Sequence, residues 1–172
     1  MNFSIRHATV EDAELIADIS RQTFYETFAP YNSKENMELF LNVQFTKGRL
    51  MLEVGAAENI FLMAYSGDEI AGYAKLRASR HPEKLNSSNT MEIARLYAMT
   101  HMIGKGVGNF LMQACLDQAI QKKKEYVWLG VWKENHRALN FYKKWGFEIF
   151  DEVDFILGND LQKDWLMKKR IQ

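Results

Sequence analysis

Between Leu96 and Asn109 the chain reads LYAMTHMIGKGVGN: strand-like residues run into glycines at 104, 106 and 108, and the glycines run into a helical pattern. This segment constrains the fold more than any other. Glycine reaches left-handed backbone and lets a ligand approach the main chain. The first N–H groups of a helix lack intrahelical partners and sit at the positive end of its dipole, so a helix opening on such a turn can hold phosphate. Lys105 adds charge. The plainer reading is a flexible turn that starts a helix. Two familiar phosphate motifs fit poorly. A P-loop needs Ser or Thr after its Gly-Lys, and Gly106 stands there. A dinucleotide fingerprint needs its third glycine where Asn109 stands.

The elements around this turn indicate a mixed sheet. Phe3 and Ile5 alternate with polar neighbours as a short strand. Thr9, three residues before Asp12, reads as an N-cap, followed by Leu15, Ile16, Ile19, Phe24 and Phe28 at helical spacing up to Pro30. Asn32 with Glu35 resembles a capping box for a second helix. Thr46 starts a third, ending near Gly55. Ile60–Tyr65 and Ile70–Leu76 flank a Gly67-Asp68 turn as a hairpin. Arg80–Asn89 reads as a loop and Met91–Met99 as a strand. Gly106–Lys123 is predicted helical, with Val107, Phe110, Leu111, Ala114 and Ala119 toward the core. Tyr126–Val131 reads as a strand, and Ala138–Trp145 as a helix stopped by Gly146. Phe147–Val153 and Trp165–Lys169 form a closing hairpin. The order predicts an α/β chain whose mixed sheet carries packed helices. Its 172 residues and lack of a linker suit one domain over 1–172.

Composition narrows the function classes. Lys+Arg and Asp+Glu both total 22, so bulk charge gives no argument for nucleic acid or an anionic membrane as partner. Cys115 is the one cysteine, which rules out an internal disulfide and suits a reducing compartment. No stretch fits a signal peptide, and none approaches the roughly 18 apolar residues of a membrane span. A cytoplasmic location is the expectation. Histidines 7, 81, 101 and 136 lack metal-ligand spacing, so no metal is expected. Cys115 has no histidine or helix start beside it to activate a thiolate.

Ile103-Gly104-Lys105-Gly106-Val107-Gly108 resembles the acetyl-CoA pyrophosphate motif of the GNAT acyltransferase superfamily, Gln/Arg-x-x-Gly-x-Gly/Ala. Asn135-x-x-Ala138-x-x-Phe141-Tyr142-x-x-x-Gly146-Phe147 resembles its second cofactor segment, in the family's order and separation. Phe24-Tyr25-Glu26-Thr27-Phe28, Asn32 to Met37, Glu92 to Tyr97 and Trp128 to Trp132 resemble the PaiA-type polyamine N-acetyltransferases over nearly the whole chain. Ile103 departs from the motif, standing where Gln or Arg is usual. Most pyrophosphate binding comes from backbone N–H groups, so the departure predicts weaker affinity at most.

The resemblance implies a GNAT fold: a mostly antiparallel sheet with one splayed parallel pair and helices on both faces. It implies acetyl-CoA as acetyl donor and a small amine as acceptor, a polyamine such as spermidine or spermine by the PaiA-type likeness. Leu96, Tyr97 and Ala98 would pair with the pantetheine arm, and Ile103, Gly104, Lys105, Gly106, Val107, Gly108 and Asn109 would hold the pyrophosphate. Asn135 would hold the pantetheine amide or cap its helix, beside Ala138. Lys144 would reach a phosphate or simply be solvated. Tyr142 is the candidate general acid for the leaving thiolate. Glu92 is the candidate general base, through water, or else a solvated strand-end carboxylate. Glu26 is its rival, or binds a cationic acceptor with Tyr25, Tyr31 and Glu35. Trp128 and Trp132 line the site or pack in the core. A homodimer stays open, as do a non-catalytic acyl-CoA sensor on the same fold and a GNAT enzyme acting on peptide or protein N-termini or another small amine.

Overall fold

A computed structural model describes residues 2–171. The expected hairpin forms as β2 (Asn59–Ser66) and β3 (Glu69–Arg77), turned at Gly67, whose φ is 62°. β1 (Phe3–His7) pairs antiparallel with β2, and β4 (Thr90–Ala98) pairs antiparallel with β3. β5 (Tyr126–Trp132) runs parallel to β4. β6 (Glu148–Leu157) and β7 (Asp160–Arg170) close the sheet as a hairpin, with β7 against β5. The order is β1-β2-β3-β4-β5-β7-β6, mostly antiparallel with one parallel pair, as the fold class predicts.

α1 (Ala13–Phe28) follows a 3-10 turn in which Asp12 Oδ2 accepts from the Thr9 N–H at 2.8 Å. Ile16, Ile19, Phe24 and Phe28 are buried along it, whereas Leu15 faces outward. α2 (Lys34–Gln44) is capped one residue later than the sequence suggests. Ser33 Oγ accepts from the Asn36 N–H at 3.2 Å. Asn32 is committed elsewhere: its Nδ2 donates to the Phe28 carbonyl at 2.8 Å, satisfying a carbonyl near the C-terminus of α1. α3 (Lys47–Gly55) is capped by Thr46.

α4 (Val107–Gln121) packs against strands β1 to β5. Its core stripe is Val107, Leu111, Met112, Cys115, Leu116 and Ala119. Phe110 and Ala114, expected in that stripe, lie half-buried at its margin. α5 (His136–Lys144) is the last helix. The two faces of the sheet are distinguished at neighbouring residues of β3. A Cβ on Gly72 would stand 3.1 Å from Leu111 of α4, while Tyr73 points the opposite way, to Ser20 and Thr23 of α1. Helices therefore cover both faces.

The closing hairpin is longer than the sequence suggests, and its turn docks on α2. Gly158 sits so close to Asn36 that an added Cβ would lie 2.6 Å from its Cα, and Asn36 Oδ1 accepts from the Asn159 N–H at 2.8 Å. This tertiary support compensates for the polar, irregular pattern of residues 151–164. Among the described residues, no helix is long and apolar enough to cross a membrane.

Candidate active site

β4 and β5 pair over three positions only: Thr90 with Tyr126, Met91 with Val127 and Glu92 with Trp128. Just beyond, β4 slips against β3. Leu76 pairs with Ile93 and Lys75 with Arg95, leaving Ala94 as a bulge. A bulge bends its strand, and here β4 leaves β5 while β5 continues along β7 as far as Trp132–Asp164. The gap opens a cleft of about 620 Å³, within the usual range of small-molecule sites. Leu96, Tyr97 and Ala98 line it, with no strand on the β5-facing side of their backbone.

The glycine turn lies at one end. Gly104 has φ 81° and Gly106 φ 94°, conformations that strain any residue with a Cβ. Gly106 is the N-cap of α4, and its carbonyl accepts from the Phe110 N–H at 3.1 Å. The N–H groups of Val107, Gly108 and Asn109 thus precede the first intrahelical bond and remain donors for an anion. A Cβ on Gly108 would meet the Phe141 ring at 3.6 Å, an ordinary contact that places α5 beside the start of α4. Asn109 Oδ1 accepts from Trp145 Nε1 at 3.0 Å, a second tie between these helices. Ile103 lines the cleft and is 40% exposed. Lys105 and Lys144 are exposed.

Asn135 Oδ1 accepts from the Ala138 N–H at 3.2 Å, so Asn135 caps α5. Asn135, Ala138 and, two turns from the cap, Tyr142 line the cleft together. Burial pushes the Tyr142 phenol well above its ordinary value, as does the neighbouring Cys115. The phenol therefore stays protonated throughout the physiological range. Burial also pushes Cys115 up, to about 12, which leaves it an inert thiol.

The acidic residues separate. Glu92 is buried in the paired part of β4 and outside the cleft lining. Its Oε2 accepts from Arg77 Nε at 2.7 Å, and its Oε1 lies 3.9 Å from Arg80 Nη1. Glu26 does line the cleft, accepting from Gln22 Nε2 at 3.1 Å and from the Thr100 hydroxyl. Tyr25, Tyr31 and Glu35 are exposed outside the lining, with the Tyr31 ring edge-on to Trp132 at 5.1 Å. Trp132 lines the cleft, whereas Trp128 is buried with Leu85 and Leu166.

Several lining residues escape a sequence reading. Glu53 of α3 accepts from Lys75 Nζ at 2.9 Å and from Arg95 Nη1 and Nη2 at 2.8 and 3.2 Å. Burial alone would raise the Glu53 carboxyl, but Arg95 and Lys75 bring it below its ordinary value. Lys75 is lowered to about 8, by burial and by Arg95 against the pull of Glu53. Asp164 of β7 is raised to about 6 by burial. These residues are far apart in sequence and follow no motif. Lys75 and Arg95, basic residues inside largely apolar strands, are the signal that the sequence offers. Arg49, Lys75, Arg77, Arg80, Arg95 and Arg137 line the cleft against three acids, Glu26, Glu53 and Asp164.

Comparison with known proteins agrees with this geometry. Residues 14–147 match the family described as the acetyltransferase (GNAT) family. An uncharacterised N-acetyltransferase of Lactobacillus delbrueckii subsp. lactis is 35% identical over 92% of this chain and 91% of its own. A spermidine N(1)-acetyltransferase of Thermoplasma acidophilum is 27% identical over 91% of this chain and 96% of its own. In fold, the chain is similar to a Thermoplasma acidophilum PaiA N-acetyltransferase solved in complex with coenzyme A. The TM-score is 0.81, at 24% identity over 99% of both chains.

Proposed function

The chain belongs to the acetyltransferase (GNAT) family and is an acetyl-CoA-dependent N-acetyltransferase; we propose that its acceptor is a primary amine of the polyamine class. The observation that carries the acyl-transfer reading is the convergence of the glycine turn, the splayed β4–β5 edge and Tyr142 on one cleft. The residues present suit the donor. Left-handed glycines and unpaired α4 amides fit its pyrophosphate, and the open β4 edge at residues 96–98 fits its pantetheine amides. Acetyl-CoA, when bound, supplies an acetyl thioester. Tyr142, held protonated, would give its proton to the departing sulfur, and the Ala98 backbone N–H would favour charge on the thioester oxygen.

The polyamine acceptor rests on the likeness to a spermidine N(1)-acetyltransferase and on the acidic and aromatic cleft residues Glu26, Asp164 and Trp132. The cleft's excess of cations favours a second reading, an amine that also carries an acidic group. Thiol release from acetyl-CoA over a panel of polyamines, monoamines and amino acids tests both. Turnover with spermidine and spermine supports the first reading. Turnover confined to amines bearing a carboxylate supports the second.

A further inference from the structure

Asp164 ends the β5–β7 ladder opposite Trp132, under the face covered by α1 and α2. Its Oδ1 is fully buried and has no hydrogen-bond partner among the described residues. That is a costly state, because a buried carboxylate oxygen without a partner forfeits its hydration. The other acids of this region have protein partners: Glu53 holds Lys75 and Arg95, Glu92 holds Arg77, and Glu26 is bonded to Gln22 and Thr100. Gly130, two residues before Trp132 on the same face of β5, leaves space above the carboxylate. A Cβ there would stand 3.7 Å from Asp164 Oδ2.

We propose that Asp164 is a catalytic residue that binds the acceptor ammonium in the cleft and takes its proton. This assignment rests on the amine-acceptor reading above. One proton passes from the ammonium to the Asp164 carboxylate. The freed nitrogen pair forms the N–C bond to the acetyl carbonyl carbon, the C–S bond breaks, and sulfur takes the Tyr142 proton. The second proton lost from nitrogen returns to the Tyr142 phenolate, leaving the neutral amide, the free thiol and a protonated Asp164. Burial raises the Asp164 carboxyl to about 6, which narrows its distance from an amine at about 10. The titratable groups sharing its cleft are Glu26 of α1, Arg49 and Glu53 of α3, Lys75 and Arg77 of β3, Arg95 and Tyr97 of β4, Arg137 and Tyr142 of α5, and Arg80. Tyr97 and Tyr142 are both held protonated by burial, so neither competes as base.

Steady-state thiol release with acetyl-CoA and spermidine tests the proposal across pH 5 to 9, in the wild type, Asp164→Asn and Gly130→Ala. Asp164→Asn should lower kcat/KM for the amine by about 10²–10⁴-fold, leave KM for acetyl-CoA unchanged and flatten the acid limb near pH 6. Its melting temperature at pH 7.5 should rise, whereas a merely structural aspartate would lower it. Gly130→Ala meets only ordinary contacts, at 3.6 and 3.7 Å, and should raise KM for the amine without losing stability. Wild-type kcat/KM in Asp164→Asn, with the acid limb intact, overturns the assignment alone. A wild-type chain that releases no thiol with spermidine or with any other amine of the panel overturns the acceptor reading and this assignment together.

Discussion

Arg77 Nε donates to Glu92 Oε2 at 2.7 Å, and this bond closes the end of the cleft where β4 and β5 are still paired. The Glu92 side chain is 8% exposed. Glu92→Gln should therefore cost about 1–3 kcal/mol of stability, read by urea denaturation. Its activity should fall by a similar factor at every pH, because Arg77 and Arg80 lose their anchor. Recovery of activity at high pH would instead mark Glu92 as the base.

Tyr142→Phe keeps the ring between Phe141 and Phe147, at 5.5 and 6.0 Å, and removes the proton. Turnover should drop by about 10²–10⁴-fold with KM for acetyl-CoA nearly unchanged. The wild type should show no alkaline limb from this phenol below pH 10, since burial moves its titration upward. Wild-type kcat in the variant would mean that another group protonates the thiolate.

Asn135→Ala removes the cap of α5. A cap of this type contributes about 0.5–2 kcal/mol, and the helix that loses it positions Tyr142 and Ala138. Stability should fall by that amount, and KM for acetyl-CoA should rise. Circular dichroism against temperature checks the first and steady-state kinetics the second.

Asp164 and Glu53 give opposite pH signatures. Asp164 is raised from 3.8 to about 6. Below the unfolded value both states hold the proton and there is no penalty. As pH rises through 4 to 6 the unfolded chain ionises first, so the fold loses stability relative to Asp164→Asn. With partial exposure discounted, the variant should be about 1 kcal/mol more stable at pH 7.5. Glu53 is lowered, so its contribution is present above the unfolded value and lost as pH falls through the folded one. Glu53→Gln should flatten that acid limb. It should also cost about 3–5 kcal/mol at neutral pH, because Lys75 is left buried without its partner. Urea midpoints measured every half pH unit separate the two.

The parts of the fold legible in the sequence are those fixed locally. Gly67 marks the β2–β3 turn, Thr46 caps α3, and the glycines at 104 and 106 take the left-handed backbone their pattern implies. Misreadings fall where a tertiary contact redirects a side chain. Asn32 closes α1 instead of capping α2, and Asn36 stabilises a hairpin turn more than a hundred residues away. The candidate site divides the same way. Tyr142, Asn135 and the glycine turn are carried by motifs, and Glu26 by a likeness. Asp164 was not legible: it lies on a strand whose polar start, Asp160 to Asp164, resembles a loop until α2 docks beside it. Glu53, Lys75 and Arg95 come from three separate elements and meet only once the sheet has formed.

The glycine turn can be tested from both sides. Gly106→Asp combines a strained backbone with a negative charge at the α4 N-terminus and should abolish acetyl-CoA binding. Ile103→Arg restores the charge usual in the family motif at a cleft-lining position and should tighten binding by at most about 1.5–3 kcal/mol. Isothermal calorimetry reads both. A loss of affinity in Ile103→Arg would show that Ile103 packs instead of facing the cofactor.

Transfer of acetyl from acetyl-CoA to an amine in the cleft between β4 and β5 leaves its signature in the mass of the acceptor. Its most direct test is mass spectrometry of the acceptor after incubation with acetyl-CoA carrying an isotope label in the acetyl group, using the wild type and Tyr142→Phe side by side. The wild type should give labelled N-acetylated amine and an equal amount of free thiol, with both reduced about 10²–10⁴-fold in the variant. Acetyl-CoA binding without labelled product from any amine, or equal product from both proteins, would contradict it.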